Sequence, residues 1–187
     1  HVYAPDTRGH GRSPMGSSPF TIPQFADDLL AFMDERGIEK ADVLGFSDGG
    51  NIALIFALRY PERLSKLIVD GANLYPSGMK NSVWREIRRR CRKFDADPSM
   101  AYEAKLYHLM TDEPDIKPWE LRKIKVPALV VAGTDDLIKE RHTRLIARNI
   151  PGAVLRIIPG GHAVAAENPD RFNETVIGFL EGRPDSN

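Results

Sequence analysis

The sequence predicts an α/β protein built on a doubly wound, mostly parallel sheet, and three observations carry that prediction. Apolar runs such as Val43-Leu44, Leu67-Ile68-Val69 and Leu129-Val130-Val131 lack polar alternation, as strands covered on both faces require. Helical patterns of period 3.6 separate those runs. The resulting strand-helix-strand succession makes parallel neighbours joined by right-handed crossovers. At 187 residues, with 42% hydrophobic and 28% charged side chains, the chain is long enough to bury a core around one sheet.

Strands are predicted at residues 2–4, 41–46, 64–70, 128–132 and 154–158, each bounded by Gly or Pro or by a helical pattern. Residues 22–35 form the first predicted helix, with Phe25, Leu29, Phe32 and Met33 on one face, Thr21 as cap and Pro23 in the first turn. Residues 51–60 are almost wholly apolar, as suits a helix buried in a layered fold, and Pro61 stops it. Asn168-Pro169 opens a last helix that runs to about residue 180, with Asn168 as its cap. Residues 72–118 break the rhythm, with helical patterns at 82–94 and 99–110, no strand, and Pro76, Pro98, Pro114 and Pro118 as punctuation. This stretch is expected to be a helical cap or lid over a site at the carboxyl ends of the strands. The core is then residues 1–71 and 119–187. A merely extended connection is the alternative.

Lys plus Arg and Asp plus Glu number 26 each, so no global field draws the chain to nucleic acid or to an anionic membrane. A basic run holds Arg85, Arg88, Arg89, Arg90, Arg92 and Lys93, and reads as a solvated helix face rather than an anion-binding patch. Cys91, inside that run, is the single cysteine, which precludes an internal disulfide and fits a reducing cytoplasm, the expected location. No pattern places a histidine near it, so a cysteine catalyst is not expected. No apolar run reaches the length of a membrane span, and no signal-peptide pattern opens the chain.

The chemistry concentrates in Gly45-Phe46-Ser47-Asp48-Gly49, directly after a predicted strand and directly before a predicted helix. A strand-to-helix turn this tight forces the serine into a strained backbone conformation and admits only small neighbours, which Gly45, Gly49 and Gly50 provide. Ser47 is thereby the candidate nucleophile, and the backbone N–H of Asp48 the candidate oxyanion donor. No Lys-Ser/Thr pair follows, and the glycine spacing differs from a dinucleotide fingerprint, so a phosphate-binding loop is disfavoured. A serine hydroxyl needs a base, and the base an orienting carboxylate. His162, in Pro159-Gly160-Gly161-His162 after the last predicted strand, stands where the order serine, acid, histidine puts the base. The acid belongs after the preceding strand, in Gly133-Thr134-Asp135-Asp136. Asp136 is the leading candidate, with Asp135 and Asp70 as alternatives; of the two adjacent aspartates, the one not facing His162 is expected to cap the next helix. Phe46, beside the nucleophile, is an expected substrate-binding residue.

With these residues in hand, the sequence resembles the α/β-hydrolase superfamily in its small-cap, esterase-like branch. The matching motifs are Asp6-Thr7-Arg8-Gly9-His10-Gly11-Arg12-Ser13, the serine turn, Asp70-Gly71, Gly133-Thr134-Asp135-Asp136 and Gly160-Gly161-His162. In that family the acid is usually the third residue after the glycine, which supports Asp136. The Asp6 to Ser13 turn is structural there, giving His10 a packing role. His1, His108 and His142 take structural or surface readings. The resemblance implies a serine hydrolase acting on a small-molecule carboxylic ester or related acyl bond, without cofactor or metal. Carbon–carbon hydrolysis, acyl transfer and perhydrolysis on the same three residues are alternatives, as is a catalytically weak or non-catalytic ligand-binding member. Dehalogenase and epoxide hydrolase relatives carry Asp where Ser47 stands. The Ser47-Asp48-Gly49-Gly50 version, with Gly71-Ala72-Asn73 downstream, is similar to valacyclovirase-like hydrolases, in which the acid beside the nucleophile suits substrates with an α-amino group. That similarity implies that Asp48 binds substrate too. The resemblance also implies that the family's first three strands are lacking here, together with the loop that donates the second oxyanion N–H. A piece of a longer enzyme is the expected reading. A homodimer covering the unpaired sheet edge and a natural minimal variant are the alternatives.

Overall fold

The computed structural model describes residues 1–183. Four parallel strands form one sheet in the order β1 (Ala41–Phe46), β2 (Leu64–Asp70), β3 (Ala128–Gly133) and β4 (Val154–Ile158). The helices are α1 (Ile22–Glu35), α2 (Asp48–Arg59), α3 (Asn81–Asp95), α4 (Ala101–Asp112), α5 (Glu140–Asn149), α6 (Val164–Glu167) and α7 (Pro169–Leu180). The doubly wound parallel architecture predicted from the apolar runs is the one observed. Among the described residues, no helix is long and apolar enough to cross a membrane.

The pleat sorts the strand side chains onto two faces. Leu67, Val69, Ala128 and Val130 face the larger core, packed against Phe25 and Met33 of α1, Ile52 to Ala57 of α2 and Ile146 of α5. Ile68, Leu129 and Val131 face a smaller core closed by Val164 of α6 and by Phe172 and Val176 of α7. α2 is buried nearly all round, with Ala53, Leu54 and Phe56 at 0% exposure, which explains its lack of a polar stripe. α1 begins as expected, the Thr21 hydroxyl accepting the Gln24 N–H at 3.3 Å.

Three expectations change. Residues 2–4 form no strand: Val2 is 97% exposed, and among the described residues no strand lies beside it to exchange ladder hydrogen bonds. β1, expected to be covered on both faces, alternates in burial, with Leu44 and Phe46 exposed. Leu44 pairs with Ile68 and so belongs to the smaller core's face, but the residues of α6 and α7 close that core over β2, β3 and β4 and stop short of β1. Asn168 does not cap α7 through its side chain; its amide instead donates to the Pro159 carbonyl at 3.1 Å, tying the helix start to the loop after β4. β1 lies at one edge of the sheet, without a strand partner on its outer side among the described residues.

Between β2 and β3, α3 and α4 pack on each other and contribute no strand. The basic run lies along exposed positions of α3, where Arg89 and Arg90 share Glu86 at 2.7 Å and Arg88 sits over the Trp84 ring. A small apolar cluster of Met79, Ile87 and Ile138 joins this segment to the loop after β3.

Candidate active site

Ser47 sits between β1 and α2 at φ 54° and ψ −119°, and among the described residues it is the sole non-glycine with positive φ. An L-residue holds such a conformation only where its surroundings over-determine it. They do so here. The Ser47 N–H donates to the Asp70 carbonyl at 2.8 Å, extending the β1–β2 ladder into the turn. A Cβ on Gly45 would lie 2.0 Å from the Gly49 carbonyl oxygen, so the chain returns on itself across a glycine that no other residue replaces. The hydroxyl is thereby presented at the carboxyl end of the strand. The Asp48 N–H belongs to the first turn of α2, where amides lack intrahelical acceptors and the helix dipole favours negative charge.

The loops after β3 and β4 bring their residues to that hydroxyl. His162 Nε2 is 3.0 Å from Ser47 Oγ, and His162 Nδ1 is 2.7 Å from Asp136 Oδ1. Asp136 is 3% exposed, and the same oxygen accepts the Ile138 N–H at 2.8 Å. Two close backbone approaches hold these loops together. A Cβ on Gly133 would be 2.0 Å from the Gly161 carbonyl oxygen, and one on Gly71 would be 2.8 Å from the His162 ring. Asp135, the adjacent alternative, is exposed; its N–H donates to the Gly160 carbonyl, and it does not cap α5, whose N-cap is Lys139. Asp70, the other alternative, is fully buried, and neither carboxylate oxygen has a hydrogen-bond partner among the described residues.

Burial, reinforced by the charge of Asp136 and partly offset by His162, pushes Asp70 from 3.8 up to about 7. His142 goes the other way. Buried, with its Nε2 accepting the Leu74 N–H at 2.9 Å, it falls from 6.5 to about 4, chiefly through burial and secondarily through Lys139 and Arg141. The two groups have opposite effects on stability. Asp70 binds more protons folded than unfolded, so its contribution is full at low pH and is lost as pH rises from 3.8 towards 7, by on the order of 4 kcal/mol. His142 binds fewer protons folded, so its contribution is lost as pH falls from 6.5 towards 4. Asp70→Asn should therefore gain stability relative to the wild type between about pH 5 and about pH 8. Denaturant melts at both pH values measure this, and an unchanged gap would show that Asp70 binds no extra proton in the fold.

A cavity of about 60 Å³ opens beside the serine and the histidine. Met79, Val83, Ile87, Met110, Leu137 and Ile138 form its apolar walls, and Asp48, Asn73 and Glu113 its polar side. Burial raises the Asp48 carboxyl above its ordinary range, against the opposing influence of His10, an Asn51 hydrogen bond and His162. Burial also raises Glu113, although its carboxylate accepts the Ile22 N–H at 2.5 Å; Asp112 and Asp48 push it further up. Asn51 Oδ1 accepts the Asn73 N–H at 2.9 Å, and Asn51 Nδ2 reaches both Asn73 Oδ1 and Asp48 Oδ1 at 3.3 Å. Asn73 Nδ2 is left without a partner at the cavity wall.

The structure thus brings Ser47, Asp48, Asp136 and His162 together. It places Phe46 outside the cavity lining, with its ring 4.9 Å from the His162 ring. His10 packs parallel to Phe20 and lies 3.1 Å from the Arg8 carbonyl through Nδ1, as a turn residue would. Sequence reasoning gave no role to Glu113, whose only signal is a carboxylate just past the helical pattern predicted at 99–110. It also found no histidine for Cys91, yet His108 of α4 stands 3.7 Å from that sulfur.

Comparison with known proteins identifies the family and the fold. Residues 1–97 match the family described as the alpha/beta hydrolase fold. The chain is 31% identical to a putative carbamate hydrolase, RutD, of Caulobacter sp. strain K31, over 95% of this chain and 79% of that protein. It is 30% identical to the human serine hydrolase BPHL, over 96% of this chain and 69% of that protein. Among solved structures, it superposes on the enol-lactonase from Burkholderia xenovorans LB400 with a TM-score of 0.78 and 28% identity, over 94% of this chain and 79% of the other.

Proposed function

Since the chain belongs to the alpha/beta hydrolase fold family, we propose that it cleaves a carboxylic ester or related acyl bond through an acyl-enzyme on Ser47. The observation that carries this reading is the continuous contact chain Ser47 Oγ, His162 Nε2, His162 Nδ1, Asp136 Oδ1, at 3.0 and 2.7 Å. In the first half-reaction His162 takes the Ser47 proton as Oγ attacks the acyl carbon, then returns it to the departing alcohol. In the second, His162 deprotonates water, which attacks the acyl-enzyme and regenerates the serine. Asp136 holds the imidazole in the tautomer with hydrogen on Nδ1 and stabilises the imidazolium formed in each half. The Asp48 N–H meets the oxygen as negative charge develops on it. Asp70 makes no hydrogen bond to His162 and takes no part in the proton transfers.

Residues 72–118 act as the cap over this site. Met79, Val83, Ile87 and Met110 of that segment wall the cavity, which favours a small apolar group in the substrate. Phe46 shields one side of the His162 ring from solvent and does not bind substrate directly.

The acidic side of the cavity favours a second, narrower reading: a substrate with an α-amino group held by Asp48, with Asn73 donating its unpaired amide to a substrate carbonyl. Similarity to valacyclovirase-like hydrolases supports this, as do the two carboxylates, Asp48 and Glu113, on one wall. Short aryl esters with and without an α-amino group test both readings together. Hydrolysis of either series is expected, with the amino series preferred, and Asp48→Ala should reduce that preference by about tenfold or more, the effect of one charge-assisted contact. No hydrolysis by the folded protein rejects the first reading. Hydrolysis with a preference untouched by Asp48→Ala rejects only the second.

A further inference from the structure

A second group of reactive side chains lies on the cap, away from Ser47. Cys91 and Asp95 are one turn apart on α3, and His108 and Asp112 one turn apart on α4, so the packed helices bring all four together. Cys91, itself buried, lines with His108 and Asp112 a recess of about 370 Å³ whose other walls are Trp84, Arg88, Arg92 and Thr111, and the half-exposed Asp95 sits against His108 beside it. The sulfur is 3.7 Å from His108 Nε2 and 3.7 Å from Asp95 Oδ2, and His108 Nε2 is 2.9 Å from Asp95 Oδ1. One ligand atom from each of Cys91, Asp95 and His108 falls within 4.8 Å of the others.

We propose that Cys91, Asp95 and His108 bind a divalent transition-metal ion of the zinc type, with Asp112 orienting His108. The separations suit such an ion. Zinc bonds of about 2.3 Å to sulfur and about 2.0 Å to nitrogen or oxygen, at tetrahedral angles, require ligand–ligand edges of roughly 3.3 to 3.6 Å. The two edges to sulfur, at 3.7 Å, are close to that range. Asp95 now points Oδ2 at the sulfur and Oδ1 at His108 Nε2, and a small rotation of the carboxylate would bring one oxygen into the third ligand position. Asp112 Oδ2, 3.3 Å from His108 Nδ1, fixes the other ring nitrogen, the usual arrangement for a metal-bound imidazole. Solvent in the recess supplies the fourth ligand.

The thiolate, Asp95 and Asp112 supply three negative charges, which offset the two of a divalent ion and part of the charge of the neighbouring Arg88 and Arg92. Binding displaces the thiol proton, so affinity rises with pH. Thiolate, imidazole and carboxylate together select zinc or cobalt over magnesium or calcium. Bound there, the ion ties α3 to α4 and stiffens the cap whose other side lines the Ser47 cavity.

Cobalt(II) titration of the full, reduced chain tests this without any measurement of activity. One equivalent should produce a sulfur-to-cobalt charge-transfer band in the near ultraviolet, which only Cys91 can generate because it is the single cysteine. Zinc should then abolish the band by displacement and raise the melting temperature. Cys91→Ser should remove the band, and Asp112→Asn should weaken binding by about 10- to 100-fold while preserving it. His108→Gln, at a half-exposed position that tolerates change, should weaken binding at least as much and covers the case in which Cys91→Ser fails to fold. Absence of the band in a chain with a titratable thiol would overturn the proposal, as would a band unaltered by His108→Gln.

Discussion

Ser47→Ala should lower kcat towards acyl esters by on the order of a millionfold, with the fold and melting temperature nearly unchanged. The expectation follows from what the hydroxyl touches. Its oxygen is 3.0 Å from His162 Nε2 and partly open to the cavity, so deletion removes the attacking atom without emptying the core. The strained φ of 54° persists in alanine, which keeps its Cβ, so backbone relaxation contributes little. Residual turnover would come from water directed by His162 and from the Asp48 N–H, and His162→Ala added to Ser47→Ala should cost little more, because the residues act as one unit. Steady-state kinetics on the single and double variants, beside thermal melts, measure this. A fall of tenfold or less in Ser47→Ala, or additive losses in the double variant, would mean that the hydroxyl is not the nucleophile.

Gly45→Ala should be the most destabilising small substitution near the site, by at least 3 kcal/mol on the scale of the larger core changes. Its Cβ would meet Gly49 O at 2.0 Å and Gly49 C at 2.3 Å. Both are backbone atoms, so neither can rotate aside as a flexible side chain would. Relief requires α2 to move off β1, and α2 carries Ile52 to Ala57 at the centre of the larger core. Gly49→Ala provides the contrast within the same motif, since a Cβ there meets nothing within 4 Å. It should cost little and keep activity. Equal destabilisation by the two variants, in denaturant melts, would contradict the close-approach account of the turn.

Much of this was legible in the sequence, for reasons that differ from element to element. The serine turn announces itself because sterics restrict a short run to glycine around one serine, and its position after Leu44 and before Ile52 fixes strand and helix on either side. β2 and β3, buried on both faces, read as uninterrupted apolar runs. β1 reads the same way, yet Leu44 is exposed, because sequence reports what a side chain tolerates and not whether a helix arrives to cover it. The same limit accounts for residues 2–4, whose strand character depends on a neighbour that their own side chains do not supply. α5 is expected only as the helix after the two aspartates, without bounds, because charged residues outnumber Ile146 and Ala147 along it. Asp136 and Asp135 could not be told apart by composition; the turn after β3 buries one and exposes the other. The pairing of Cys91 with His108, seventeen residues apart, depends on the geometry of the α3–α4 hairpin, which no local spacing encodes. Asn73 and Glu113 reach the cavity in the same way, from positions forty residues apart in the chain.

The central claim is a covalent intermediate on one serine. Intact-mass spectrometry of the protein quenched during turnover of a slowly deacylated aryl ester tests it most directly, with peptide mapping of the adduct. The predicted result is a gain of one acyl group, located on the peptide containing Ser47, absent from Ser47→Ala and decaying at the rate of turnover. Turnover without any acylated species, or an acyl group on a different residue whose decay matches kcat, would contradict it.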